Sequence, residues 1–372
     1  MQVPLGYARM IVQAKELLGR GKVDDAGKIA LRLIQRAPKY PDAYVVLARI
    51  SEVMGDEESA LAMYHHAITR DPTNCDYIHA AVEICFAQRK FVLAENFLKK
   101  GRAHHPQDID LMYVHAKVLF CLQDKKQALQ LFKEVCKHAP EREQDISILI
   151  HALEGSTPQK SSDGYVRDLF NSYAQDFEQH LLQNLQYKVP QTLKKIIVDH
   201  LQPTNPSWKV ADVGCGTGLM GEELHPFCSH LVAIDLADKM VEKACLRQKE
   251  GKKIYQEGRV GNAQEILRTY PANFDGIVAA DVFVYVGDFE DLFVSIYNSL
   301  RDNGWFAYSV EDHEGEGFVL RESGRFAHAH RYVIMMLEKH GFALLHTEKV
   351  ILRTDRETDI WGRMYLAQKI SR

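Results

Sequence analysis

The stretch Lys209–Asp238, KVADVGCGTGLMGEELHPFCSHLVAIDLAD, decides the fold of the chain around it. The apolar run Val210 to Val213 reads as a short strand that passes straight into Gly214-Cys-Gly216-Thr-Gly218. A helix-like segment follows, then a second apolar strand, Leu231 to Ile234, closed by Asp235. A strand, a glycine-rich turn, a helix and a second strand with an acid at its tip form a mononucleotide-binding βαβ unit. Two of the glycines allow a turn with no Cβ between ligand and backbone, and the third permits close helix-to-loop packing. Asp235 stands 21 positions after Gly214, where a carboxylate accepts hydrogen bonds from both hydroxyls of a ribose.

A dinucleotide fingerprint reads G-x-G-x-x-G, but Leu219 occupies the sixth position here, which disfavours a dehydrogenase. The run D-V-G-C-G-T-G, Asp212 to Gly218, instead resembles motif I of the class I S-adenosylmethionine-dependent methyltransferases. That resemblance implies S-adenosylmethionine as cofactor, with Gly214, Gly216, Gly218 and Asp235 around its nucleoside. Asp212 is then a partner for the ammonium of its amino-acid tail.

The chain has 372 residues, enough for two domains with a core each. Its hydrophobic fraction of 46% and charged fraction of 26% are ordinary for a soluble globular protein. A net charge of −4 gives no overall electrostatic footprint for nucleic acid or an anionic membrane, so no nucleic acid is expected. The amino terminus lacks the basic start and apolar core of a signal peptide, and no apolar run is long enough to span a membrane. Seven scattered cysteines without a C-x-x-C pair point to reduced thiols in a cytoplasmic protein, and no metal site is expected.

The first part of the chain carries a repeat. Pro38, Pro72, Pro106 and Pro140 lie 34 residues apart, as do Ala26, Ala60, Ala94 and Ala128. Ala14, Ala48, Val82 and Ala116 keep the same period. Small residues at two fixed phases let antiparallel helices approach, and the proline stops the second helix of each pair. This pattern resembles the tetratricopeptide repeat. It implies an α-solenoid of about four repeats plus a capping helix over 1–154, whose groove docks a protein partner or whose charges merely solvate it. Residues 155–164 have linker composition, and 165–372 are expected to form the second domain.

The text LFNSYAQDFEQHLLQNLQY resembles the amino-terminal lid helix of many methyltransferases, which would put Tyr173 near the methionine end of the cofactor. Farther on, the resemblance places Asn262 where many members have an aspartate that accepts from the adenine amino group. The segment Ala280-Asp281-Val-Phe283-Val-Tyr285 then faces the transferable methyl. The fold expected for the second domain is an α/β Rossmann-like seven-stranded methyltransferase sheet. A strand is expected over Ile254 to Val260 and a helix over Arg325 to Gly341. On that helix His328 and Tyr332 are four apart and share a face with Arg325. Imidazole, phenol and fixed cation together would orient an acidic or hydroxylated substrate and accept its proton. The alternative is a helix whose histidine and aromatic residues pack on the sheet.

The two resemblances together match the bacterial-type methyltransferases that carry amino-terminal tetratricopeptide repeats. They imply transfer of a methyl group to a small-molecule or protein acceptor that the sequence does not specify. A non-catalytic repeat scaffold with a remnant cofactor domain is the competing reading.

Overall fold

The computed structural model describes residues 5–174, 178, 181, 185–203, 206–355 and 358–371. It divides into two compact units, Met1–Arg142 and Glu143–Arg372. The first unit is helical: α1 (Leu5–Gly19), α2 (Val23–Arg36), α3 (Pro41–Val53), α4 (Glu57–Arg70), α5 (Cys75–Ala87), α6 (Phe91–His104), α7 (Ile109–Cys121) and α8 (Lys125–His138). Each helix packs on its neighbours in sequence, and the pairs recur at the spacing of the prolines. Ala26, Ala60, Ala94 and Ala128 are fully buried, as the close approach of paired helices requires. Each repeat proline follows two residues behind the end of α2, α4, α6 or α8. Asp56, Asp108 and Asp124 cap α4, α7 and α8 by accepting from backbone N–H groups at 2.9–3.1 Å.

The expected capping helix exists as α9 (Glu143–Glu154), but it falls in the second unit. It packs on α10 (Asp163–Tyr173), where Asp145 Oδ1 accepts from Ser162 Oγ at 2.9 Å. A Cβ on Gly164 would lie 2.2 Å from the same oxygen, so a larger residue there would displace the Asp145 carboxylate. The expected linker is also part of this unit. Gln159 O accepts from Gly287 and Asp288 N–H at 2.9 and 2.8 Å, Lys160 bridges Val286, and Ser161 N–H donates to Tyr285 O. Polar, glycine- and serine-rich composition signals the lack of a helix or strand pattern. It carries no information about backbone pairing of this kind.

The second unit continues with α11 (Val189–Leu201), β1 (Trp208–Val213), α12 (Leu219–Leu224), β2 (Cys228–Asp235), α13 (Asp238–Leu246) and a small hairpin, β3 (Gln248–Lys249) and β4 (Lys252–Lys253). Then come β5 (Glu257–Val260), α14 (Ala263–Arg268), β6 (Phe274–Ala279), α15 (Glu290–Ser299), β7 (Leu300–His313), β8 (Phe318–Leu320) and β9 (Phe326–Ala329). Helix α16 (His330–Lys339) and the long hairpin β10 (Phe342–Asp355) and β11 (Thr358–Lys369) end the chain. The main sheet runs β10-β11-β7-β6-β1-β2-β5, seven strands in line, with β8 and β9 attached beside β7. Strands β5, β2, β1, β6 and β7 are parallel, while β11 is antiparallel to β7. Along β1 and β2, Ala211, Val213, Val232 and Ile234 face one apolar layer with α14, α15 and α16. Val210, Leu231 and Ala233 face the other, with α11, α12 and α13. Helices on both faces explain the unbroken apolar strands read from the sequence.

Two expectations need correction. The third parallel strand begins at Glu257, because Ile254 and Tyr255 are packed in the core before the ladder starts. Residues 326–329 form β9, paired in parallel with β7, and the helix begins only at His330. All four β9 residues are buried, a pattern that a short apolar stretch shares with a helix face. None of the described helices is long and apolar enough to cross a membrane.

A truncated chain starting at Glu143 should therefore unfold in one cooperative transition. One starting at Ser161 should be destabilised by about 2–4 kcal/mol, since it loses Asp145, Thr157 and Gln159 as partners of part-buried groups. Urea unfolding of both checks this. Equal midpoints would mean that residues 143–160 do not support the sheet.

Candidate functional site

The chain leaves β1 through glycines with φ of +64° at Gly214, +52° at Gly216 and +96° at Gly218, a region that L side chains avoid. A Cβ on Gly214 would sit 2.4 Å from Val282 Cγ2. At Gly218 it would meet the Tyr255 ring at 2.9 Å. The turn is held from β2: Cys215 N–H donates to Ile234 O at 3.1 Å, and Gly216 N–H donates to Asp235 Oδ2 at 2.9 Å. Asp235 Oδ1 accepts from Ala237 N–H at 2.9 Å. Burial pushes the Asp235 carboxyl above its usual range, and those backbone N–H groups partly offset it.

These groups line one side of a cavity of about 420 Å³. It lies beyond the carboxyl ends of the parallel strands, where open α/β sheets bind ligands. Over β1, β2 and β5 it is lined by Gly214, Gly216, Asp235 and Asn262, together with Asp163 from α10. Towards β6 and β9 its walls are Asp281, Tyr285, Arg325, Tyr187 and Phe170.

Asn262 caps α14, its Oδ1 accepting from Gln264 N–H at 2.9 Å while its Nδ2 donates to Asp163 Oδ2 at 2.7 Å. Sequence reasoning missed Asp163, which is 99 residues away in the chain. Asp212 is buried and is not among the cavity-lining residues. Its Oδ2 accepts from Tyr255 O–H at 2.5 Å, and Tyr255 in turn accepts from Gly221 N–H at 3.1 Å. Asp212 Oδ1 has no hydrogen-bond partner. Burial raises its pKa to about 7, with the neighbouring Asp235 charge adding to the rise. The side chain of Tyr173 lies outside the described residues.

The structure does not bring His328, Tyr332 and Arg325 onto one face. His328, in β9, is fully buried, and its Nε2–H lies 2.9 and 3.0 Å from the carbonyls of Val286 and Gly287. Burial lowers its pKa to about 3, so it is neutral. Tyr332 O–H donates to Asp288 Oδ1 at 3.2 Å and accepts from Phe289 N–H at 3.1 Å. Both residues hold the segment after Tyr285 in place without lining the cavity. Arg325 alone of the three reaches it.

Arg325 belongs to a buried charge cluster. Arg353 Nη1 lies 3.4 Å from each oxygen of Asp281, and its Nη2 donates to Glu311. Arg325 Nη1 lies 3.6 Å from Asp281 and 3.9 Å from Glu311. Arg321 Nη1 is 3.6 Å from Glu311. Asp281 adopts φ +62°, and its N–H donates to Ser309 Oγ at 2.9 Å. A register shift in β10 between Ile351 and Arg353 leaves both Leu352 and Arg353 buried. A strict alternation along the strand would have exposed one of them. That shift leaves no mark in the sequence, so Arg353 could not be found there.

The cavity fits a nucleoside-bearing cofactor: the glycine cradle has no room for a Cβ, and Asp235 and the Asn262–Asp163 pair offer acceptors for ribose hydroxyls and a base amino group. Comparison with known proteins agrees. Residues 211–308, β1 into β7, match the family described as Methyltransferase domain. Residues 17–186 match ChAPs (Chs5p-Arf1p-binding proteins), where the period of the sequence pointed to tetratricopeptide repeats. A ubiquinone biosynthesis O-methyltransferase from Leptothrix cholodnii is 26% identical over 154 residues, 41% of this chain and 63% of its own length. One from Xylella fastidiosa is 30% identical over 131 residues, 35% of this chain and 51% of its own. The chain thus spans between half and two-thirds of the length of these curated relatives. Among solved structures, the 1,6-didemethyltoxoflavin-N1-methyltransferase of Burkholderia thailandensis, with bound S-adenosylhomocysteine, is 18% identical. The likeness covers 55% of this chain and 87% of that one, at a TM-score of 0.44. The family match is thus confined to residues 211–308, which resemble a methyltransferase domain.

The raised pKa of Asp212 has a consequence for stability. The folded protein holds this proton up to about pH 7, whereas the unfolded chain releases it near the ordinary value of 3.8. Its contribution is complete below the unfolded value and is lost as pH rises through the folded one. Asp212→Asn should flatten a decline in stability between about pH 4 and pH 7, which is at most about 1.4 kcal/mol per pH unit for one proton. Parallel urea titrations of wild type and variant across that range test it; identical slopes would show that Asp212 stays ionised when buried.

Proposed function

We propose that the chain is an S-adenosylmethionine-dependent methyltransferase whose acceptor enters the Asp281 side of the cavity. In the same reading its helical repeat is of tetratricopeptide type and forms a solenoid that docks a protein partner or substrate. The observation that carries the reading is the glycine turn with positive φ, tied to Asp235 and opening on the cavity. Bound cofactor supplies an electrophilic sulfonium methyl. The chain's own residues orient the nucleophile and exclude water.

Gly214 and Gly216 bring backbone to the nucleoside, and Asp235 accepts from the ribose hydroxyls. Asn262 already uses its carbonyl oxygen on Gln264 N–H, so we assign the base amino group to the carboxylate of Asp163 as well. Tyr285 and Tyr187 form the aromatic wall on the acceptor side. Burial pushes both phenols up, which keeps them protonated. His328 and Tyr332 then act as positioning residues, through Val286, Gly287 and Asp288.

Calorimetry with S-adenosylhomocysteine tests the cofactor half of the proposal. Asp235→Ala should lose about 1–3 kcal/mol of binding, the range for a charged acceptor removed from hydroxyl donors. Binding of NAD in preference to the methyl donor, or unchanged affinity in the variant, would sink it. Incubation of cell extract with label in the donor methyl group should move label into an acceptor fraction. Cofactor binding with no transfer would favour the scaffold reading.

A further inference from the structure

Among the described residues the cavity is lined by six carboxylates against two cations, Lys160 and Arg325. Ion pairs cancel two of the six. Asp281 and the nearby Glu311 are balanced by Arg325 and Arg353, and Glu290 is met by Lys339 at 2.7 Å. Asp163, Asp235, Asp288 and Asp291 have no ion-pair partner among the described residues. Asp163 accepts from Asn262 Nδ2 at 2.7 Å, and Asp235 accepts from backbone N–H groups. Asp288 Oδ1 accepts from Tyr332 O–H at 3.2 Å and from Glu290 N–H at 3.0 Å. These donors are neutral, so they orient the carboxylates without cancelling their charge. The other lining cation, Lys160, is exposed.

Two hydroxyls in the same cavity are also unmet. Tyr187 is 7% exposed and Tyr285 9% exposed, and neither phenol has a hydrogen-bond partner among the described residues. Buried polar groups left this way are costly until a ligand or water reaches them. Their rings add π surface, which attracts a cation. A recess lined by one sign of charge favours a ligand of the other sign, and low-dielectric walls strengthen the effect.

The methyl donor and its demethylated product differ at the sulfur. S-adenosylmethionine carries a sulfonium, an ammonium and a carboxylate, and is a net cation. S-adenosylhomocysteine has lost the sulfonium charge and is neutral overall. In the reading above, Asp163 and Asp235 meet the nucleoside, which both ligands share. Asp291 is exposed, where salt screens it. Asp288 is half-buried and stands three residues beyond Tyr285, on the acceptor side. Resting on the methyltransferase reading, we propose that the cavity selects the cationic methyl donor over its neutral product by charge, with Asp288 as a specificity-determining residue.

Calorimetry on the full chain, with no acceptor present, tests this with three ligands: S-adenosylmethionine, S-adenosylhomocysteine and sinefungin. Sinefungin carries an ammonium group where the donor has its sulfonium methyl, so it matches the donor's charge without its sulfur. In about 20 mM salt the donor and sinefungin should each bind about tenfold more tightly than S-adenosylhomocysteine. In about 500 mM salt that preference should shrink to about threefold or less. Asp288→Asn keeps an acceptor for Tyr332 and Glu290 N–H while removing the charge. It should weaken the donor about fivefold and leave S-adenosylhomocysteine within about twofold.

Equal or tighter binding of S-adenosylhomocysteine by wild type would overturn the proposal, as would a preference that salt does not change. Unchanged donor affinity in Asp288→Asn would also overturn it, and would leave that charge for a cationic acceptor. An equal loss for donor and product in the variant would reduce Asp288 to a structural role and overturn its assignment. If Asp288→Asn fails to fold, the wild-type comparison at the two salt concentrations decides alone. Failure of all three ligands to bind would instead refute the methyltransferase reading on which this rests.

Discussion

The open end of the sheet depends on one backbone constraint: the chain must leave β1 at Gly214 with a φ of +64°. Any side chain there would be strained and would strike Val282. With glycine in place, Cys215 and Gly216 turn their N–H groups onto the end of β2. That fixes Asp235, whose carboxylate would otherwise be free to turn away from the cavity. The next helix starts after Gly218, close enough to Tyr255 for the phenol to reach Asp212. A single turn therefore couples β1, β2 and the segment before β5. One oxygen of the buried acid of β1 is met by a residue that arrives from outside the βαβ unit.

The second constraint is electrostatic. Asp281 and Glu311 come from the ends of adjacent parallel strands, where an unpaired charge would be costly to bury. Arg353 answers both, from the point where the register of β10 shifts. The antiparallel hairpin at the sheet edge thus serves the cavity as well as the ladder. Burying such a cluster is not evidence of stability, because desolvation of each ion opposes the attraction between them. Its retention beside an open cavity is better explained by what it holds in place: Asp281 in an uncommon backbone conformation, and Arg325 beside Tyr285.

The sequence made legible those features that repeat or follow a period. The prolines and alanines of the first unit fall where the helix pairs need them, and the apolar runs of β1 and β2 alternate between two core layers. Positions in the glycine turn and Asp235 were readable because turn chemistry is local. Other elements failed for physical reasons. Residues 326–329 are buried on every side, so they carry no strand alternation. His328 looked titratable, yet two carbonyls and complete burial make it a neutral pin between β9 and the turn after Tyr285. Asp163 and Arg353 act across long sequence separations, and nothing local marks them.

The cavity also shows why a strand-based reading of such a domain is incomplete. Its floor follows the sheet, but Gln159, Ser161, Asp163, Val166 and Phe170 supply a wall that precedes β1 in the chain. That wall is fixed by backbone bonds from Gln159 and Ser161 to the turn after β6, and by Asp163 to Asn262 after β5. The same few residues therefore line both the Asn262 end and the Tyr285 end of the cavity. Movement of α10 would disturb the two ends together, since it carries Asp163 at its start and, about two turns on, Phe170 in ring contact with Tyr285. A shared wall of this kind ties both ends of the cavity to one helix and the strand-like segment before it.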